Sequence, residues 1–465
     1  MSHEDPLTLM RLIKGMYHNF ELDPPNAKDY DQEGVELFND LHSEFVKRGF
    51  EKLPKGMSGL DSGQPWFIYW LTEALEVLNQ EGFELNAEQK SRCVEYLRKC
   101  HNSEQGGFAG APYHQSHLAS SYAAVLAIVN IGTQEAFNII DVEAMRRYLK
   151  SIKNNYRYEN QGQRSGWNLI DQNGDLLKPT KVSEVIASLP GSVEIHINGE
   201  IDMRGVYCAM VIADILNLKD EEFTRGVGDF VASCQTYEGG ISCVPLGEAH
   251  GGYTFCGLAA LVILNETHKL NLDRLIDWLA QRQLTEEGGF NGRINKLVDS
   301  CYNFWQGASF ELFDIALKGN GNVNGELLFN QEALQAYTVI CCQEKNGGLK
   351  DKPTKTPDYY HTCYAASGMS IAQHLSDYES LHSGIEGKDI SATFNGNYNQ
   401  LSSQSKEGEE FKSSEQQDSQ KPATQDKKIY ISGIEQSQLR RINPIFNTRY
   451  DFVAKAKAYY KQKSQ

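Results

Sequence analysis

No run of apolar residues in this chain is long enough to cross a bilayer. The longest, such as CGLAALVIL at 256–264, fall far short of the roughly 20 residues that a membrane helix needs. A basic excess is missing too: 45 Lys and Arg stand against 61 Asp and Glu, a net charge of −16. That argues against a general nucleic-acid or membrane-surface binder, and it makes any local cluster of cations an exception to be explained. No CxxC pair occurs among the 10 cysteines, so neither a zinc ribbon nor a dithiol redox site is indicated. The opening MSHEDPLTLMRLIKGMYHNF has early acids and no continuous apolar stretch, so it does not read as a secretory signal. A cytoplasmic, reducing compartment is expected, with the cysteines as free thiols. Alternating apolar–polar strands are scarce, which argues against a sheet-based fold.

What the chain has is length, aromatics and glycine in a pattern. Its 465 residues, 40% apolar and 23% charged, suit two or three average domains or one large core. QGGF at 105, EGGI at 238, EGGF at 287 and NGGL at 346 share one frame, with a degenerate PGSV at 190. Their second positions, 107, 192, 240, 289 and 348, are spaced by 85, 48, 49 and 59 residues. The long first interval contains a polar stretch, about 152–189, that reads as an insertion; without it the period is about 50, as in a repeat array.

Each repeat reads as helical. LASSYAAVLAIVNIG (118–132), RGVYCAMVIADILNL (204–218) and YTFCGLAALVILNE (253–266) are apolar nearly all round, as helices buried on every side are. Between them lie amphipathic segments such as NLDRLIDWLAQRQL (271–284), with Leu272, Leu275, Ile276, Leu279 and Ala280 at helical spacing. Inner apolar and outer amphipathic helices alternating around a ring give an all-α fold, an α/α barrel or α6-α6 toroid of helical hairpins, with the turns gathered at its ends. The expected organisation is a partly helical N-terminal extension at 1–60, the barrel at 61–379, a disordered low-complexity insertion at 380–440, and a C-terminal helix at 441–465 packing back on the barrel. The 380–440 stretch is dominated by Ser, Gln, Lys and Glu and cannot bury enough surface to fold.

The chemistry concentrates in GGFNGRINKLVDSCYNFW (288–305). Asp299 and Cys301 are two residues apart, about 200° on a regular helix, so they converge only at a helix start where Asp299 adopts a capping conformation. On these two residues alone, an N-cap and a small buried thiol explain the pair as well as a metal site does. A catalytic zinc site would need a third ligand and an open fourth position. His361, after the last glycine turn, is the candidate. His250 follows another turn, and with Arg293, Lys296 and Tyr302 it would make a donor-rich patch of the kind a diphosphate needs. Trp66, Trp70, Tyr207, Tyr253 and Trp305 supply aromatic surface for a cavity.

Three stretches carry a resemblance. LGEAHGGYTFCGLAALVIL, EGGFNGRINKLVDSCYNFWQ and GGLKDKPTKTPDYYHTCYAASGMSIAQH resemble the protein farnesyltransferase β subunits of the protein prenyltransferase family, over about 60–377 apart from the insertion at about 152–189, and again at 442–463. The resemblance implies a heterodimer with a farnesyltransferase α subunit, and transfer of farnesyl from farnesyl diphosphate to the cysteine of CaaX-box proteins. It implies zinc (Zn2+) on Asp299, Cys301 and His361, a diphosphate pocket of His250, Arg293, Lys296 and Tyr302, and magnesium (Mg2+) with the diphosphate at Asp351. It places Arg204, Tyr207, Tyr253, Cys256 and Trp305 along the isoprenoid, and Tyr360 among the substrate-binding residues. Trp66, Trp70, His117, Ala119 and Tyr122 fall around the lipid and the peptide tail, with Trp66 and Tyr364 closing the deep end. Where the family usually has Pro before its tyrosine this chain has Ser120, and Ser62 and Gly63 also depart from the pattern; these positions border the site of the last CaaX residue. The rival within the family is the β subunit of geranylgeranyltransferase type I. A terpene cyclase on a similar barrel would carry DxDD or DDxxD, and neither occurs.

Overall fold

The structure, a computed structural model, describes residues 5–18, 36–78, 84–154, 190–319, 328–374 and 438–463. The insertion expected at 152–189 and the low-complexity segment expected at 380–440 lie almost wholly outside the described residues. Helix α1 (Pro6–His18) leads the described chain. Six outer–inner pairs follow among the described residues: α2 (Asn39–Glu51) with α3 (Gln64–Leu78), α4 (Ala87–Cys100) with α5 (Leu118–Ile131), and α6 (Val142–Ser151) with α7 (Met203–Ile215). Then come α8 (Val227–Ser233) with α9 (Gly251–Leu264), α10 (Leu272–Ala280) with α11 (Tyr302–Gly319), and α12 (Gln331–Ala336) with α13 (Tyr359–His374). A π-helical turn, Tyr337–Cys342, continues α12, and α14 (Tyr450–Lys463) ends the chain.

The inner helices form a closed ring. Each packs on the next, α3 on α5, α5 on α7, and so on to α13, which returns to α3. Such helices are buried on every side, which explains their composition: all of Ser120–Ile131 is buried in α5. Their small residues let neighbours approach; a Cβ on Gly368 of α13 would stand 2.0 Å from the Asn303 backbone of α11. The outer helices present one apolar stripe inward, as in α10, where Leu275, Trp278 and Leu279 are buried.

The glycine turns dock each repeat on the next. Gly347 has φ 88°, and a Cβ there would sit 2.0 Å from the Leu41 carbonyl of α2. Only glycine fits such an approach in a left-handed conformation. That contact joins the last turn to the first outer helix and closes the ring, so α2, expected from sequence in an N-terminal extension, packs as an outer helix of the barrel. All ten cysteines are free thiols. No helix among the described residues is long and apolar enough to cross a membrane.

Candidate active site at the turn end of the ring

The inner helices begin at the turn end, and polar side chains stand at their starts because free N–H groups there need acceptors. Asp202 accepts from Arg204 N, the His250 Nδ1 from Gly252 N (3.1 Å), Asp299 Oδ1 from Cys301 N (2.9 Å) and Asp358 Oδ1 from His361 N (2.8 Å). Capping residues of different repeats are thereby gathered around one opening.

Two of these starts meet. The donor atoms of Asp299, Cys301 and His361 all lie within 4.8 Å of one another. His361 Nε2 faces Asp299 Oδ1 at 3.3 Å, and its Nδ1 bonds Asp358 Oδ2 at 2.7 Å. Burial opposes ionisation of Asp299, yet the His361 hydrogen bond and charge hold its carboxyl below the usual range. Burial likewise works against the His361 cation, but its bonds to Asp299 and Asp358 lift the ring to about 10. Burial, reinforced by Asp299, pushes the Cys301 thiol well up. Without a metal, then, the cluster holds protons on the ring and the sulfur, where a divalent cation would take their place. One carboxylate, one thiol and one imidazole within reach of a common point, with Asp358 orienting the ring, fit a three-ligand metal site.

Asp351 borders this cluster. Its backbone carbonyl accepts from Ser300 N at 2.8 Å. Its Oδ2 pairs with Lys352 Nζ, while its Oδ1 is buried and has no partner. Burial, and then repulsion from Asp299, raises its carboxyl. Its buried Oδ1 thus has room for one more partner beside the three-residue cluster.

The donor patch lies alongside. His250 Nε2 and the Tyr302 hydroxyl are 3.0 Å apart. Because Nδ1 accepts the Gly252 N–H, the neutral ring carries its proton on Nε2 and donates to the Tyr302 oxygen. Burial, followed by Arg293, lowers the His250 ring and keeps it neutral. The Tyr302 O–H is thereby left to donate elsewhere. Arg293 Nη1 pairs with Glu248 Oε2 at 2.8 Å, and Lys296 is exposed on the same turn. Gly292 makes room: a Cβ there would stand 2.1 Å from the Tyr302 ring.

Below the opening an aromatic belt runs round the ring. Trp66 packs on Trp70 and on Tyr122 (5.6 Å each), and Tyr122 on Tyr207 (5.3 Å). Phe255 continues it, 5.2 Å from both Tyr207 and Trp305. Trp305 stacks on Tyr364 at 4.4 Å and donates its indole N–H to the Tyr360 hydroxyl at 3.1 Å. Trp70, 5.5 Å from Tyr360, closes the circuit. Cys256 is buried in the same wall, Tyr253 stands half-buried above it, and Arg204, held by Asp202, is at the rim. His117, at the start of α5, stacks on His196 at 5.7 Å, with Ala119 half-buried beside it. Asp358, Phe255, Asp202 and Glu248 were not singled out from sequence. Asp358 had a legible signal, a carboxylate three residues before His361 at a helix start.

Comparison with known proteins gives a consistent picture. Residues 37–448 match the prenyltransferase alpha-alpha toroid domain. The chain is 33% identical over 417 residues to the protein farnesyltransferase subunit beta of Arabidopsis thaliana, covering 78% of this chain and 78% of the relative. It is 37% identical over 349 residues to the protein farnesyltransferase subunit beta of Saccharomyces cerevisiae, covering 74% and 71%. Among solved structures it resembles the Candida albicans protein geranylgeranyltransferase-I complexed with GGPP, with a TM-score of 0.60 at 19% identity, covering 92% of this chain and 100% of that one.

Proposed function

The chain belongs to the prenyltransferase α-α toroid family, among the protein farnesyltransferase β subunits, and from that premise we propose that its turn end transfers farnesyl from farnesyl diphosphate to the thiol of a C-terminal CaaX cysteine. The observation that carries the reading is the convergence of Asp299, Cys301 and His361 beside the His250–Tyr302 pair, at the mouth of the aromatic belt. Zinc is the metal this donor set suits, because sulfur, nitrogen and oxygen ligands together favour a borderline-soft ion. When bound there, zinc supplies a Lewis acid that keeps a substrate thiol ionised at neutral pH.

The chain's own residues do the rest. Trp66, Trp70, Tyr207, Phe255 and Trp305 bury the isoprenoid and exclude water from it. The Tyr302 O–H, freed to donate by the His250 N–H, meets a diphosphate oxygen as negative charge develops there. Arg293 and Lys296 add positive charge at the same place, which lowers the cost of that charge. In the transfer, the C1–O bond of the lipid breaks, a C1–S bond forms, and the diphosphate departs with the bonding pair. Asp351 suits a magnesium ion accompanying the diphosphate. The partner is a farnesyltransferase α subunit, the substrates are CaaX proteins, and the compartment is the cytoplasm.

Geranylgeranyltransferase type I is the second reading. The bulk of Trp66 and Tyr364 in the belt favours the shorter lipid. Co-expression with an α subunit, followed by assay with both lipids and a CaaX peptide, tests the choice. A kcat/KM favouring farnesyl diphosphate is expected, and one favouring the longer lipid would overturn it.

A further inference from the structure

Opposite the turns, the C-terminal ends of the inner helices are crossed by the segment that precedes α14. It is strongly anchored. Arg440 and Arg449 each place an Nη1 2.9 Å from Glu76 Oε2 of α3, and Arg440 N bonds the Val77 carbonyl at 2.8 Å. Ser370 of α13 donates to the Arg440 carbonyl (2.6 Å), and Thr448 bonds Asn130 of α5. Within the segment, residues 443–448 form a self-bonded loop. Asn443 N reaches the Thr448 carbonyl at 2.7 Å, Asn447 N the Asn443 carbonyl at 2.9 Å, and Ile445 N the Asn443 Oδ1 at 2.9 Å.

Two carbonyls of this loop are taken up by tyrosines of the ring. Tyr69 of α3, fully buried, donates its hydroxyl to the Asn447 carbonyl at 2.9 Å. Tyr207 donates to the Ile445 carbonyl at 2.7 Å and lies 3.2 Å, hydroxyl to hydroxyl, from Tyr122. Those rings in turn support one side chain. Trp66 rests on Tyr122 at 5.6 Å and on Tyr69 at 6.1 Å, and Tyr69 and Tyr122 pack edge to face at 6.0 Å. A rigid loop therefore fixes two phenols, and the phenol rings fix the indole.

We infer that the loop 443–448 is the gauge of isoprenoid length: through Tyr69 and through Tyr207 with Tyr122, it holds Trp66 at the depth that admits farnesyl and refuses a longer chain. The inference rests on the activity proposed above. Tyr69 is a positioning residue, since it acts through Trp66 and its hydroxyl is committed to the loop. A fourth isoprene unit needs the space Trp66 occupies, so the energy holding Trp66 in place enters directly into discrimination between the lipids. Removing one supporting hydrogen bond relaxes that restraint by about fivefold, the equilibrium factor of one net hydrogen bond.

The test uses the full chain co-expressed with its α subunit, and direct binding of farnesyl and geranylgeranyl diphosphates. Tyr69→Phe deletes the bond to Asn447 with almost no change of volume. It should cut the preference for farnesyl diphosphate by about fivefold, mainly by tightening the longer lipid. In a Trp66→Thr background the same Tyr69→Phe change should have no effect on the preference, because the group it acts through is gone. A Tyr69→Phe variant that weakens both lipids equally, or whose effect persists without Trp66, would overturn the inference while leaving the activity intact. A wild-type heterodimer that bound neither diphosphate would instead overturn the proposed activity, and this inference with it.

Discussion

Replacing Asp358 by Asn separates the metal site from the fold that carries it. The carboxylate has two jobs on two oxygens: Oδ1 accepts the His361 backbone N–H at 2.8 Å, and Oδ2 accepts from the His361 ring Nδ1 at 2.7 Å. An amide has one acceptor. If it stays on the backbone N–H, its NH2 group faces Nδ1, which must then be the unprotonated nitrogen. The proton moves to Nε2, the atom that faces Asp299 at 3.3 Å, and a protonated nitrogen cannot ligate a metal. Losing an orienting partner of this kind costs about 10- to 100-fold in metal affinity, or roughly 1.4 to 2.7 kcal/mol. The helix cap survives in Asn, a good capping residue, so the loss of metal-free stability should be confined to the ion pair between the Asp358 carboxylate and the protonated His361 ring. Asp358→Ala removes both contacts and should lose roughly a further 1 kcal/mol of metal-free stability. Competition with a zinc chelator gives the affinity, and thermal melting of the stripped protein gives the stability. Unchanged zinc affinity in Asp358→Asn would refute the reasoning.

Gly292→Ala would drive a methyl to within 2.1 Å of the Tyr302 ring; displacing Tyr302 from His250 should weaken farnesyl diphosphate binding about tenfold with metal content intact, measured by lipid titration and elemental analysis. Trp66→Thr should shift the kcat/KM ratio toward geranylgeranyl diphosphate by about tenfold or more, since each buried CH2 of the longer lipid is worth roughly 0.8 kcal/mol once space is opened; an unmoved ratio would clear Trp66 of the role. His42, buried between Gln343 and the Gly348 N–H, has its ring lowered to about 4 by burial. Above its ordinary value of 6.5 the ring is neutral folded and unfolded; as pH falls from 6.5 towards 4 only the unfolded chain takes the proton, so stability should decline by up to roughly 3 kcal/mol across that window. In His42→Gln that pH slope should flatten, as read from urea midpoints at pH 7 and pH 5.

The ring was legible because helix burial writes itself into composition. All-round apolar segments such as 118–132 can sit only inside, and glycine pairs mark turns that abut backbone. The joining of α2 to the ring was not legible, because the loop between it and α3 lacks the glycine frame. A second feature of the turns was hidden for a different reason. Six residues after each frame the backbone is again left-handed, at Tyr113, Asn198, Leu246, Asn295 and Thr354. Glycine and asparagine are the usual signs of that conformation, and tyrosine, leucine and threonine conceal it. At the site, Asp299 and Cys301 carried a spacing argument, but their meeting with His361 depends on two neighbouring inner helices starting at the same level. Phe255 carried no signal, since one more aromatic in an apolar helix reads as core until the belt is closed.

The central claim is that Asp299, Cys301 and His361 hold one zinc ion on which prenyl transfer to a CaaX thiol depends. Elemental analysis of the purified heterodimer, paired with farnesyl transfer to a CaaX peptide, tests it most directly. Wild type should contain one zinc per heterodimer. Cys301→Ala should lose both the zinc and the transfer while keeping its helical circular dichroism and its binding of farnesyl diphosphate. Full zinc occupancy with normal transfer in that variant would contradict the account.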